Sequence, residues 1–134
     1  MVLSQTFNVK PYLQNATPTS IHIMWETTFG DESIVNWGES DELGDSTLGE
    51  VQTGQGNYRI HDVHLTDLSP NTRYYYKTIT DSLDSDIYDF ITPDSPLYES
   101  SLRLIAMSDM QKDWSNPSKF EEIVHEGIIA YLED

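Results

Sequence analysis

The sequence predicts a mainly β chain: a two-layer antiparallel sandwich, followed by one strand–loop–helix piece of an α/β domain. Three observations carry this. Alternating apolar stretches recur every ~8–12 residues with turn signals between them. A proline-containing corner, Leu65 to Tyr76, joins two of these stretches. After Pro93 the alternation gives way to a nearly continuous apolar run, and then to helical spacing.

The elements follow in order. Val9 to Asn15 opens the fold, and Pro11 suits an edge strand, where a missing N–H does no harm. Ala16 to Ser20 is a loop by composition. Ile21 to Thr27 is the clearest strand: Ile21, Ile23 and Trp25 point one way, and His22, Met24 and Glu26 the other. Phe29 to Ser33 is a turn. Ile34 to Gly38 is the next strand, with Val35 and Trp37 on one face. The polar stretch Glu39 to Asn57 is expected to hold one short strand, around Leu48 to Gln52. Tyr58 to Leu65 is another strand, and Arg73 to Thr80 follows the corner. A polar hairpin, Asp81 to Asp86, leads to the last strand, Ile87 to Thr92, with Tyr88 and Phe90 on one face. That makes a small domain of about seven strands, of the order usual for a sandwich.

The corner is the most informative stretch. Leu68 turns inward, Pro70 presets φ, and Ser69 and Asn71 suit turn backbone. Tyr74 then stands where its ring can cover the core and its hydroxyl can return to nearby backbone. This is the tyrosine corner of immunoglobulin-like sandwiches. The spacing Leu68-x-Pro70-x-Thr72-x-Tyr74 resembles the corresponding corner of fibronectin type III domains. The fold class expected is therefore a fibronectin type III-like (immunoglobulin-like) antiparallel β-sandwich followed by a partial α/β β–α unit.

Composition bounds the function. The chain has 134 residues, with 23 Asp+Glu against 7 Lys+Arg, and a formal net charge of −16. Scattered acids of this number repel phosphate backbones and anionic lipid, so no nucleic acid and no membrane partner is expected. There is no cysteine, hence no disulfide and no thiolate zinc site. No apolar run reaches the ~18 residues of a transmembrane helix. Met1 to Ser4 is too short for a signal sequence, so the expectation is an intracellular protein or a leader outside this chain.

Pro93-Asp94-Ser95-Pro96 has the composition of a short stiff linker. Leu102 to Met107 is an apolar run of the kind buried on both faces in parallel sheets. Asn116 and Pro117, or the capping box Ser118-x-x-Glu121, start a helix in which Phe120, Ile123, Val124, Ile128 and Tyr131 recur at helical spacing. One β–α unit leaves both edges of its strand unpaired. The segment 97–134 is thus expected to be the start of a second domain that continues past Asp134, or to pack on the sandwich or on another chain. Ligands in open α/β sheets sit just after the strands, where Asp109 falls. From the residues alone, Asp109 stands either as a turn cap or as a metal ligand.

Pro11-Tyr12-Leu13-Gln14, Ile21 to Thr27, Val35-Asn36-Trp37-Gly38, the corner, and Phe90-Ile91-Thr92-Pro93 together resemble the N-terminal domain of purple acid phosphatases. In that family a fibronectin-like sandwich precedes a calcineurin-like metallophosphoesterase domain that opens with an apolar strand and a Gly-Asp or Ser-Asp turn. Leu104-Ile105-Ala106-Met107-Ser108-Asp109 is similar to that opening. The resemblance implies domains 1–93, linker 94–96 and truncated catalytic domain 97–134. It implies phosphate ester hydrolysis in a parent enzyme carrying two metal ions (Fe, Zn or Mn), which activate water for in-line attack. Carried over by residue, only Asp109 corresponds to a metal ligand. Gln111 stands where many relatives place a histidine ligand, and no residue of this chain corresponds to a catalytic group. The chain alone is expected to be inactive and to bind no metal tightly, with the rest of its catalytic domain as partner and a secreted or periplasmic location. The alternative is a non-catalytic binding or adhesion module. The histidines read as surface or packing residues. His61 and His64 are three apart and face opposite ways, His22 stands alone among outward residues, and His125 lies near Glu121 and Glu122. Asp113 reads as part of a solvated turn.

Overall fold

Alternation of buried and exposed side chains sets the architecture. The computed structural model describes residues 5–97 and 115–129. Within them the first sheet contains β1 (Phe7–Thr17), β2 (Ser20–Thr27), β5 (Glu50–Thr53) and β6 (Arg59–Leu65), in the order β1-β2-β6-β5. The second contains β3 (Ile34–Gly38), β4 (Asp45–Leu48), β7 (Arg73–Thr80), β8 (Leu83–Asp84) and β9 (Tyr88–Ile91). Its order is β4-β3-β7, with β8 and β9 both paired to the free side of β7. All pairings are antiparallel. The fold is the mainly β, immunoglobulin-like sandwich that the strand pattern predicts.

The inward faces make one core. The first sheet gives Ile21, Ile23, Trp25, Val63 and Leu65, and the second gives Val35, Tyr74, Tyr76 and Phe90. Trp25 is 0% exposed, and its indole N–H donates to Thr80 Oγ1 at 2.8 Å, a polar tie across the two sheets. A buried indole without such a partner would lose roughly 1–3 kcal/mol in unmet desolvation. The aromatic side chains Tyr74, Tyr76, Tyr88 and Phe90 pack at ring separations of 5.7–5.9 Å, a favourable range.

The corner has the expected form. The Ser69 N–H donates to the Tyr74 hydroxyl at 2.9 Å, and Leu68 is buried beside it. Asp67 and Asn71 take positive φ, a conformation that Asp and Asn tolerate better than most residues. The corner is also tied to the end of β9. Thr92 Oγ1 donates to the Ser69 carbonyl at 2.6 Å and accepts from the Thr72 N–H at 3.0 Å. The Thr92 N–H donates to the Thr72 carbonyl.

Three details differ from expectation. The single strand expected around Leu48 to Gln52 is two strands in different sheets: β4 pairs with β3, β5 pairs with β6, and Gly49 lies between them. A Cβ on Gly49 would lie 2.1 Å from the Asp62 carbonyl oxygen, so only glycine lets the chain cross there. The polar hairpin after β7 contributes the two-residue strand β8, and Ser85 bridges the gap before β9 by bonding the Thr78 backbone. The described strands therefore number nine rather than seven.

The chain divides into two units, Met1–Ser100 and Ser101–Asp134. In the second, the described part is one helical segment. Ser118 precedes the turn α1 (Lys119–Glu122) without a side-chain capping bond, so neither predicted cap operates through its side chain on the helix amides. The segment then widens into a π-helix, Ile123–Ile129, and Val124 and Ile128 are its half-buried residues. The strand expected at 102–107 lies outside the described residues.

Two substitutions test this account. Tyr74→Phe leaves the Ser69 N–H without its partner and should cost roughly 1–3 kcal/mol. In urea this appears as a lower midpoint at unchanged slope. Gly49→Ala should cost at least as much, because overpacking against backbone costs about 1–3 kcal/mol and here nothing flexible can give way.

Candidate functional site

Polar chemistry in the sandwich gathers at two places, both on the first sheet and both involving histidine. The inward one is His61 on β6. It sits directly opposite Trp25 in the register and stacks on the indole at 4.9 Å. It is 0% exposed. Its Nδ1 lies 2.7 Å from Ser33 Oγ and its Nε2 lies 2.9 Å from Thr27 Oγ1. Each hydroxyl also has a backbone carbonyl in reach, Glu50 O for Ser33 and Phe29 O for Thr27, both at 3.1 Å. A neutral imidazole has one N–H, so one hydroxyl accepts from the ring while the other donates to it. Burial pushes the His61 pKa down to about 4. Asp31 and Asp81 pull it up by less, and Arg59 adds a small push down.

The outward place involves His22 and His64. They are register partners on β2 and β6, with rings stacked at 4.1 Å and 9°. His22 Nδ1 meets Asp62 Oδ1 at 2.8 Å. Asp62 is in turn the register partner of Glu50 on β5. These four side chains, with Leu48 and Gly49, line a recess of about 280 Å³. A second recess, of about 380 Å³, opens around Glu26, Tyr58 and Ile60.

The structure corrects one reading: His22 does not stand alone but is paired with Asp62 and stacked on His64. Sequence reasoning missed this because the contact depends on the register between two strands that are far apart in the chain. Parity alone did put His22 on the outward face. It also put His61 and His64 on opposite faces, as observed. Asp109, the one residue expected to bind metal, lies outside the described residues, as do Gln111 and Asp113. His125 is exposed on the π-helix. Among the described residues no three His, Asp or Glu side chains converge as a ready cation cage. No described helix is long and apolar enough to cross a membrane.

A family model, the N-terminal domain of purple acid phosphatase, matches residues 6–92. Among solved structures, the sensor domain of the anti-sigma factor RsgI4 from Pseudobacteroides cellulosolvens is similar at 17% identity with a TM-score of 0.53. That match covers 71% of this chain and 100% of that one. A purple acid phosphatase from yellow lupin (Lupinus luteus) seeds is similar at 22% identity with a TM-score of 0.52, over 67% of this chain and 20% of the lupin chain. At these identities the two structures share the fold. The region in common is thus about one fifth of the lupin enzyme.

His61 makes stability depend on pH in a defined direction. The unfolded histidine takes a proton near its ordinary 6.5, whereas the folded one does so only near 4. Between those values the unfolded chain binds more protons, so the contribution is fully present above 6.5 and is lost as pH falls to about 4. The loss should approach roughly 3 kcal/mol at about 1.4 kcal/mol per unit. Urea unfolding of the wild type and of His61→Phe across pH 7 to 4 measures it, and the wild type should lose more stability than the variant.

Proposed function

The chain belongs to the family of purple acid phosphatase N-terminal domains, and on that premise we propose that it is the N-terminal portion of a metal-dependent phosphoric ester hydrolase. In this reading residues 1–93 are a non-catalytic brace, 94–96 the linker, and 97–134 the beginning of the metallophosphoesterase domain. The rest of that domain is the chief partner, and a phosphate ester is the substrate of the parent. A secreted or periplasmic location goes with the reading.

The family match over residues 6–92 is the observation that carries it. The geometry at the end of the sandwich supports it. Thr92 is fixed by bonds to Ser69 and Thr72, and the Asn71 N–H donates to the Pro93 carbonyl at 3.2 Å. The chain therefore leaves β9 from a fixed point, followed at once by two prolines. A brace needs that rigidity at its junction, since a loose exit would transmit no restraint.

The two metal ions of the parent require a set of carboxylate, amide and imidazole donors. The described residues do not supply one. Asp109 is proposed as one ligand, and no hydrolytic step is assigned to the sandwich.

With a chromogenic phosphate monoester and added Mn²⁺, Zn²⁺ or Fe³⁺, the 134-residue chain should show no turnover above a metal blank. Turnover that disappears in Asp109→Ala would overturn the reading of 97–134 as only the beginning of the catalytic domain. In the complete parent, deleting residues 1–93 should lower the melting temperature of the catalytic domain. An unchanged melting temperature would remove the bracing role.

A further inference from the structure

The outward group on the first sheet has a chemistry of its own. His22 and His64 face each other across β2 and β6, Asp62 lies two residues from His64 on the same face, and Glu50 faces Asp62 from β5. Asp62 Oδ1 holds His22 Nδ1 at 2.8 Å. A His22 ring that donates its Nδ1–H to this carboxylate leaves Nε2 as its free lone pair. The same carboxylate–imidazole arrangement stands behind metal-bound histidines generally, where it fixes the tautomer and the ring orientation. His64 is exposed, and its described contact is the stack with His22.

We propose that His22 and His64 form a two-nitrogen site for a borderline divalent cation, Zn²⁺, Ni²⁺ or Cu²⁺, with Asp62 as the positioning residue. The ligand types select this class. Imidazole suits Zn, Ni and Cu, whereas Mg and Ca call for a shell of oxygens. The site closes on its ion rather than waiting preformed. Imidazole lone pairs lie in the ring plane, so a cation shared by both rings requires the parallel stack to open by a tilt of His64. Glu50 and water complete the coordination within the recess that these residues line. The acidic chain, at −16, lowers the cost of bringing a dication to its surface. The recess is open and only the His22 ring is held in place, by Asp62, so the ion exchanges freely and is not needed for folding.

The test uses the full chain and the metal alone. In calorimetric titration at pH 7, Zn²⁺ should bind one site that Mg²⁺ in excess does not displace. His64→Ala and His64→Gln should each weaken it by at least ~10-fold, and Asp62→Asn by about 10-fold, as outer-shell partners generally do. Substoichiometric Ni²⁺ should broaden the NMR ring signals of His22 and His64 before those of His125. Zinc should also raise the melting temperature of the wild type, and His64→Gln should abolish the rise. Equal zinc affinity in wild type and both His64 variants, or Ni²⁺ broadening centred on His125, would overturn the proposal. Absence of zinc binding to the wild type would overturn it too. None of these outcomes bears on the bracing role, which is read from the parent's catalytic domain.

Discussion

The bond from the Ser69 amide to the Tyr74 hydroxyl governs the point at which the chain leaves one sheet and enters the other. Strand β6 ends at Leu65 and β7 begins at Arg73, so seven residues must turn the chain over the top of the core. A turn of that length has amides that neither sheet can satisfy. The phenol takes one of them while its ring stays in the core between Trp37 and Phe90. Thr92 takes another and returns a bond to Ser69. One corner thus joins β6, β7 and the end of β9, and the exit toward the second unit inherits its rigidity.

Much of this was legible beforehand, because period-2 alternation is a local signal. Ile21-His22-Ile23-Met24-Trp25 declares its inward face residue by residue, and the structure keeps that parity. The corner was legible because proline, asparagine and tyrosine each have a distinct backbone or side-chain use at that spacing. The crossing at Gly49 was not. Residues 39 to 57 are polar, the strands there are four residues each, and no alternation marks where one ends. A glycine in such a stretch reads as loop, and only the approach of the Asp62 carbonyl shows why the side chain is missing. The His22–His64 pair was hidden for a different reason. His22 was legible as outward and His64 as facing away from His61, but only the register of β2 against β6 sets the two opposite one another. The expected metal ligand, Asp109, is outside the described residues.

His61 shows how a sandwich accommodates a polar side chain in its core. Two hydroxyls, each with a second acceptor at 3.1 Å, let the ring keep both nitrogens satisfied in either neutral tautomer. The arrangement uses two hydroxyl side chains to bury one imidazole, and it links the end of β2 to the segment leading into β3. Ser33 also accepts the Gly49 N–H through its carbonyl at 2.9 Å. The buried histidine and the crossing glycine therefore share a residue. Protonation of the ring bears directly on the segment that passes between sheets.

The passage through Gly49 has a mechanical consequence. Strands β4 and β5 are edges of opposite sheets and consecutive in the chain, so that flank of the sandwich is bound like the spine of a book. The opposite flank, formed by β1 and β8/β9, is the fore-edge. Both chain ends of the sandwich emerge from the fore-edge strands, at Phe7 and Ile91. Tension applied through those ends loads the outermost strands first and reaches the spine last.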